Sequence, residues 1–163
     1  MPQAILGIGT NMGDRLKNLE YAVTALNKVP MVKITESSFV YETKPWGFTE
    51  QQNFYNAVLK VQTELSPNAL LGVCLGIEAG MGRIREFKNG PRIIDIDLLL
   101  YENEESDTTE LKLPHPFIRE RDFVLAPLKD LFDNLKVFSY DYYSDYEKCC
   151  NEMDIIRINT RLI

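Results

Sequence analysis

Gly90-Pro91-Arg92-Ile93-Ile94-Asp95-Ile96-Asp97-Leu98-Leu99-Leu100-Tyr101 is an apolar run broken by two carboxylates. From Ile93 to Tyr101 everything except Asp95 and Asp97 is apolar or aromatic, which predicts a strand near the centre of a sheet. Side chains two apart in a strand share a face and sit roughly 6–7 Å apart along it. The aspartates therefore converge on one side, while Ile94, Ile96 and Leu98 turn into the core on the other. Two carboxylates facing one space repel, and burying the pair is costly unless a cation neutralises it; hard oxygen donors suit Mg²⁺. A plainer structural reading of the pair, second to the metal site, is an exposed ion network with neighbouring arginines.

The residues just upstream bear on that choice. Arg83, Arg85, Lys88 and Arg92 lie close together, opposed only by Glu86. A metal bridging phosphate oxygens, with guanidinium groups clamping the remaining charge, is what phosphoryl transfer requires. A solvated basic loop is the plainer alternative. His115 is the only histidine, set between Pro114 and Pro116 and followed by Arg119 and Arg121. A lone histidine is more often structural, but on a rigid loop beside two arginines its ring is suited to hold a phosphate. In Gly7-Ile8-Gly9-Thr10-Asn11-Met12-Gly13 the third glycine comes one residue late for a dinucleotide fingerprint, and no Walker element is present. A bound nucleotide would use neither framework.

Working outward, Gln3 to Gly9 reads as a short strand ending in a Gly-rich turn. Asp14 caps a helix whose stripe is Leu16, Leu19, Val23 and Leu26, stopped by Pro30. Val32 to Tyr41 reads as a second strand, Glu42 to Gln52 as a loop carrying Trp46 and Phe48, and Phe54 to Thr63 as a third strand. Ser66-Pro67 opens a second helix that ends at Gly80 and Gly82. Glu102 to Glu110 is an acidic loop, and Arg121 to Leu131 a short helix. The order strand, helix, strand, strand, helix, strand predicts an α+β fold: a ferredoxin-like sandwich, a mainly antiparallel sheet with helices packed on one face. After about residue 130 the pattern assigns little.

A chain of 163 residues with 45% apolar content predicts one domain, residues 1–163, with a real core. The net charge of −6 argues against a nucleic-acid coat. Acids and bases balance ten to ten through Tyr101, and beyond it fourteen acids face eight bases, so any bound anion must be bound locally. Three cysteines, two of them adjacent, make neither a disulfide framework nor, with one histidine, a zinc site. With no export signal and no apolar run near the roughly 20 residues of a membrane span, a cytoplasmic location and no membrane partner are expected.

Taken together, these residues resemble the 6-hydroxymethyl-7,8-dihydropterin pyrophosphokinases of the folate pathway. The resemblance covers nearly all of residues 4–128. Its pieces are Leu6 to Arg15, Tyr41-Glu42-Thr43-Lys44-Pro45-Trp46-Gly47, Asn53-Phe54-Tyr55-Asn56, Ile77-Glu78, Gly82-Arg83-Ile84-Arg85, the run from Gly90 to Tyr101, Leu113-Pro114-His115-Pro116 and Arg121-Asp122-Phe123-Val124-Leu125. The set in this order is highly specific, whereas each piece alone is modest.

The resemblance implies that the pterin hydroxymethyl oxygen attacks the β-phosphorus of ATP, giving the pterin diphosphate and AMP. It implies that Asp95 and Asp97 hold two Mg²⁺ ions, with Arg83 and Arg92 catalytic. Glu78, Arg85, Lys88, Leu98, His115 and Arg121 would join those arginines on ATP. Asn56, with the loop at Thr43, Pro45 and Trp46, would read the pterin edge, Asp95 would touch it, and Phe54 and Phe123 would sandwich its ring. Read without the resemblance, the two phenylalanines are core residues. One departure stands out: after Arg85 comes Glu86-Phe87-Lys88-Asn89, where the family commonly has a more basic stretch ending in tryptophan. That weakens one phosphate contact and removes an aromatic lid.

Two other readings stand beside this one. One is another metal-dependent nucleotidyl or phosphoryl transferase. The other is a non-catalytic module binding RNA or a small ligand, against which the acidic balance counts. The expectation is a monomer acting on small molecules, with no nucleic-acid partner.

Overall fold

Strand β1 (Gln3–Thr10) divides its side chains between two cores: Ala4, Leu6 and Ile8 pack on one side of the sheet and Ile5 on the other. Gly7 and Gly9 fall on the side of Ile5 and leave that surface bare. The structure, a computed structural model, describes residues 1–45, 50–82, 91–150 and 155–163.

Helix α1 (Arg15–Lys28) starts where Asp14 accepts the Lys17 N–H at 3.2 Å. Strands β2 (Val32–Ser37) and β3 (Phe39–Thr43) replace the single strand expected over 32–41. The break is at Ser38, whose N–H donates to the Val58 carbonyl and whose Oγ accepts the Val58 N–H, both at 2.9 Å. One serine thus satisfies both main-chain groups of its partner while the chain bends. Strand β4 (Phe54–Thr63) pairs with β2 along one half and with β3 along the other. Helix α2 (Pro67–Gly80) has the expected Ser66 cap and first-turn proline. Strand β5 (Asp95–Tyr101) begins two residues later than the apolar run.

The acidic stretch expected as a loop contains β6 (Ser106–Asp107), which forms a small hairpin with β7 (Lys112–Leu113). Helix α3 (Asp122–Leu131) follows, and its buried residues run from Val124 to Leu128. The segment that the sequence left unassigned forms the hairpin β8 (Lys136–Val137) and β9 (Tyr140–Asp141), helix α4 (Tyr143–Cys150) and strand β10 (Ile156–Arg161).

The main sheet runs β10-β3-β4-β1-β5, with β2 beside β4, and all its pairs are antiparallel. With β2 and β3 counted as one bent strand, the central order is ferredoxin-like. Helices cover both faces, which corrects the expectation of one. Leu19, Leu26, Leu70 and Cys74 of α1 and α2 pack with Ile94, Ile96 and Leu98. Val124, Leu125 and Leu128 of α3 pack with Ile5, Val58 and Leu99 on the opposite face. The far end of α3 is pinned to β3, where the Tyr41 hydroxyl donates to Asp130 at 2.9 and 3.0 Å and the Phe39 N–H donates to the same carboxylate at 3.1 Å. The near end stops short of Gly7 and Gly9, and there the second face stays open.

Candidate active site

Pairing register builds the floor of this opening. Gly9 sits between Asp95 on β5 and Asn56 on β4, Asn56 pairs onward with Tyr41, and Gly7 sits between Asp97 and Val58. Directly opposed residues share a face, so both aspartates and Asn56 project into one space above two glycines. The space is a cavity of about 430 Å³ walled by Thr43, Phe54, Asn56, Arg92, Arg121 and Phe123 among others.

Asn56 is 9% exposed and donates from Nδ2 to Thr43 Oγ1 at 2.8 Å. Its Oδ1 lies over Gly9, where a Cβ would be 2.6 Å away. Glycine here is what allows the amide to approach the backbone. Phe54 and Phe123 are only partly buried and line the cavity, Phe123 while also packing against the core beneath α3. Arg121 lies 5.1 Å from the Phe117 ring centroid and 5.4 Å from that of Phe123. Phe117, 47% exposed, also lines the cavity.

A second cavity of about 280 Å³ lies along the outer edge of β5, between α2 and the β6–β7 hairpin. Leu71, Leu75, Glu78, Leu98, Leu111 and His115 are in its wall. Glu78 reaches from α2, 5% exposed, to accept the Ile96 N–H at 2.7 Å. That bond satisfies an edge-strand amide and fixes the carboxylate. Burial, then Glu78 and Asp97, push the Cys74 thiol up to about 12, so it packs without reacting. The His115 N–H donates to the Leu99 carbonyl at 2.8 Å, and its Nδ1 accepts the Phe117 N–H at 3.2 Å. In the neutral ring the proton is therefore on Nε2. Burial first, then the Arg121 cation, hold this ring below the ordinary histidine value of 6.5, against an opposing pull from Asp95.

Asp95 and Asp97 line both cavities. The Arg92 guanidinium donates to Asp95 at 3.2 Å, so the ion pairing weighed from the sequence is present, but at a cavity wall. As donors for a cation, the carboxylates are hard and share a face with two glycines that put no side chain between them. Among the described residues no cluster of three or more His, Cys, Asp or Glu forms a complete cage. Mg²⁺ fits such a partial set, because it takes one or two carboxylates and completes its shell with water and substrate phosphate.

Of the residues singled out from sequence, Asp95, Asp97, Arg92, Thr43, Phe54, Asn56, Arg121 and Phe123 meet at the larger cavity. Glu78, Leu98 and His115 meet at the smaller one with the same aspartates. Pro45 is partly buried and is not in either wall, although its neighbour Lys44 is. Trp46, Arg83, Arg85 and Lys88 lie outside the described residues. Sequence reasoning did not assign Gly7 and Gly9, which line the larger cavity. A Gly-x-Gly inside a strand is the available signal, but the sequence pattern reads as a turn.

A sequence model of the family described as 7,8-dihydro-6-hydroxymethylpterin-pyrophosphokinase (HPPK) matches residues 5–133. A protein of Methylorubrum extorquens named 2-amino-4-hydroxy-6-hydroxymethyldihydropteridine pyrophosphokinase is 47% identical over 137 residues, covering 84% of this chain and 87% of that protein. A protein of the same name from Aquifex aeolicus is 44% identical over 135 residues, covering 83% of each. Among solved structures, an HPPK-DHPS crystallised with substrates superposes with a TM-score of 0.68 at 17% identity, over 90% of this chain and 43% of that one. At that identity the likeness bears on the fold, and this chain spans less than half of the fused protein.

Proposed function

The chain belongs to the 7,8-dihydro-6-hydroxymethylpterin-pyrophosphokinase family, and from that premise we propose that its transfer site lies at Asp95 and Asp97, with one substrate in each adjoining cavity. The reaction moves pyrophosphate from magnesium-bound ATP to 6-hydroxymethyl-7,8-dihydropterin, giving the pterin diphosphate and AMP in folate biosynthesis. The observation that carries the proposal is that the two aspartates are the residues common to both cavity walls.

In this reading the pterin enters the larger cavity, its flat ring between Phe54 and Phe123. Asn56 turns its amide nitrogen to Thr43 and donates one proton to Oγ1, so its Oδ1 accepts from a donor on the pterin edge. Loss of such a buried bond discriminates strongly against an analogue lacking that donor. The nucleotide takes the smaller cavity, its base beside Leu98 and Leu111, with Glu78 at its border. His115 donates from Nε2 to the triphosphate, while Arg92 and Arg121 supply fixed positive charge. Arg83, Arg85, Lys88, Pro45 and Trp46 are carried into the proposal from sequence.

Two Mg²⁺ ions, held by Asp95 and Asp97 when bound, supply charge neutralisation of the triphosphate oxygens. The pterin oxygen forms its bond to the β-phosphorus as the bridging bond to the α-phosphate breaks and AMP leaves. Such a transfer leaves little covalent work for side chains, so alignment and charge account for it without a strong general base.

We also read the chain as a cytoplasmic monomer. Free Cys74, Cys149 and Cys150 fit a reducing compartment, and Arg157 and Arg161 on edge strand β10 disfavour edge-to-edge pairing. No described helix is long and apolar enough to cross a membrane. The test of the site is AMP release from ATP, Mg²⁺ and the pterin alcohol by Asp97→Ala beside the parent chain. A folded variant that still turns over removes the carboxylate from the site.

A further inference from the structure

Asn11, at the end of β1, is 2% exposed, and both polar atoms of its side chain are used. Oδ1 accepts the Arg92 N–H at 2.7 Å. Nδ2 donates to the Gln52 carbonyl at 3.0 Å and to Gln51 Oε1 at 2.8 Å. Its own N–H donates to the Arg92 carbonyl at 3.0 Å. The orientation of the amide is not interchangeable, because one main-chain partner can only donate and the other can only accept.

Both sides of this amide reach the wall of the larger cavity, one through Arg92, assigned here to the triphosphate, and the other through the pterin-side segment. Arg92 opens the carboxylate strand and reaches Asp95 at 3.2 Å. Gln51 and Gln52 lead through Asn53 into Phe54, a wall of the larger cavity. We propose that Asn11 is a positioning residue whose buried side-chain amide holds the pterin-side segment 50–53 in register with the phosphate-gripping Arg92. The proposal rests on the assignment of the larger cavity to the pterin and of Arg92 to the triphosphate.

Asn11→Asp separates the two halves. A carboxylate still accepts the Arg92 N–H but cannot donate to the Gln52 carbonyl, and main chain, unlike the Gln51 amide, cannot rotate to compensate. In steady-state assays of AMP formation by the full chain, Asn11→Asp raises the KM for pterin about tenfold, as expected when a buried bond is replaced by facing lone pairs. Its KM for ATP stays within about twofold, whereas Asn11→Ala, which loses both sides, raises both constants by roughly the factor of one hydrogen bond or more each. Gln51→Ala removes one acceptor at a partly exposed position and leaves Asn11 in place, so it reports even if the buried variants melt. It raises the pterin KM about threefold, with ATP unaffected.

Pterin KM values unchanged in Asn11→Asp and Gln51→Ala, or both KM values moving by one factor, overturn the positioning role. Pterin dependence of the parent chain is measured in the same series. Where it is present, unchanged variants overturn this inference alone; where it is absent, the underlying reading falls with it.

Discussion

Gly9 and Asn56 face each other across β1 and β4 so closely that a Cβ on Gly9 would lie 2.6 Å from Asn56 Oδ1. The atom displaced would be the acceptor proposed for the pterin edge. Gly9→Ala therefore raises the pterin KM about tenfold or more, the effect of losing one well-placed hydrogen bond. At Gly7 a Cβ meets the end of Leu99, Cδ1, at 3.2 Å. That side chain can yield, so Gly7→Ala has the smaller effect. Kinetics of the two variants side by side, with melting curves, check the contrast.

Asp95→Asn and Asp97→Asn each remove one charge from a pair that shares a face. Turnover falls by about a thousandfold, in line with loss of a group that stabilises transition-state charge. Melting temperature is lower for Asp95→Asn than for Asp97→Asn, because relief of the repulsion between the carboxylates is common to both while Asp95→Asn also gives up the charge of the Arg92 ion pair. AMP formation and thermal unfolding of the same samples test both halves.

The aspartates and the sheet were readable because strand period alone puts 95 and 97 on one face and Ile94, Ile96 and Leu98 on the other. The bend at Ser38 was not, since it depends on bonds to Val58, twenty residues away in sequence. Nor was α3 on the second face, because periodicity tells which side of a helix is apolar but not which side of a sheet it meets. Gly9 and Asn11 escaped for the same reason. Their roles are set by Asn56 and Arg92, which only tertiary pairing brings near. Phe54 and Phe123 read as core from their residue types alone, and their place in a cavity wall comes from tertiary packing.

His115 is the sole histidine, so its NMR titration is unambiguous. Burial and Arg121 depress it, so its midpoint in the free protein lies below 6.5. The unfolded chain then binds the extra proton first, and stability contributed by the neutral ring is present above about pH 6.5 and lost on acidification towards the depressed midpoint. Saturation with a non-hydrolysable magnesium nucleotide moves the midpoint upward, because the added phosphate charge favours imidazolium. A midpoint at or above the ordinary value in the free protein contradicts this.

Tyr41→Phe leaves Asp130 without its hydroxyl donor while keeping the Phe39 N–H. Loss of that bond destabilises the fold by about 1–3 kcal/mol by loosening α3 from β3. Turnover at a temperature well below melting changes little, because Tyr41 is not in either cavity wall. Urea unfolding and AMP assays separate the two effects.

The most direct measurement is anomalous diffraction from crystals grown with Mn²⁺, an α,β-methylene ATP analogue and 6-hydroxymethylpterin. Manganese peaks ligated by both Asp95 and Asp97 are predicted, with the nucleotide base beside Leu98 and the pterin between Phe54 and Phe123. Manganese held away from those carboxylates, or a nucleotide base in the larger cavity, would contradict transfer at the junction of the two cavities.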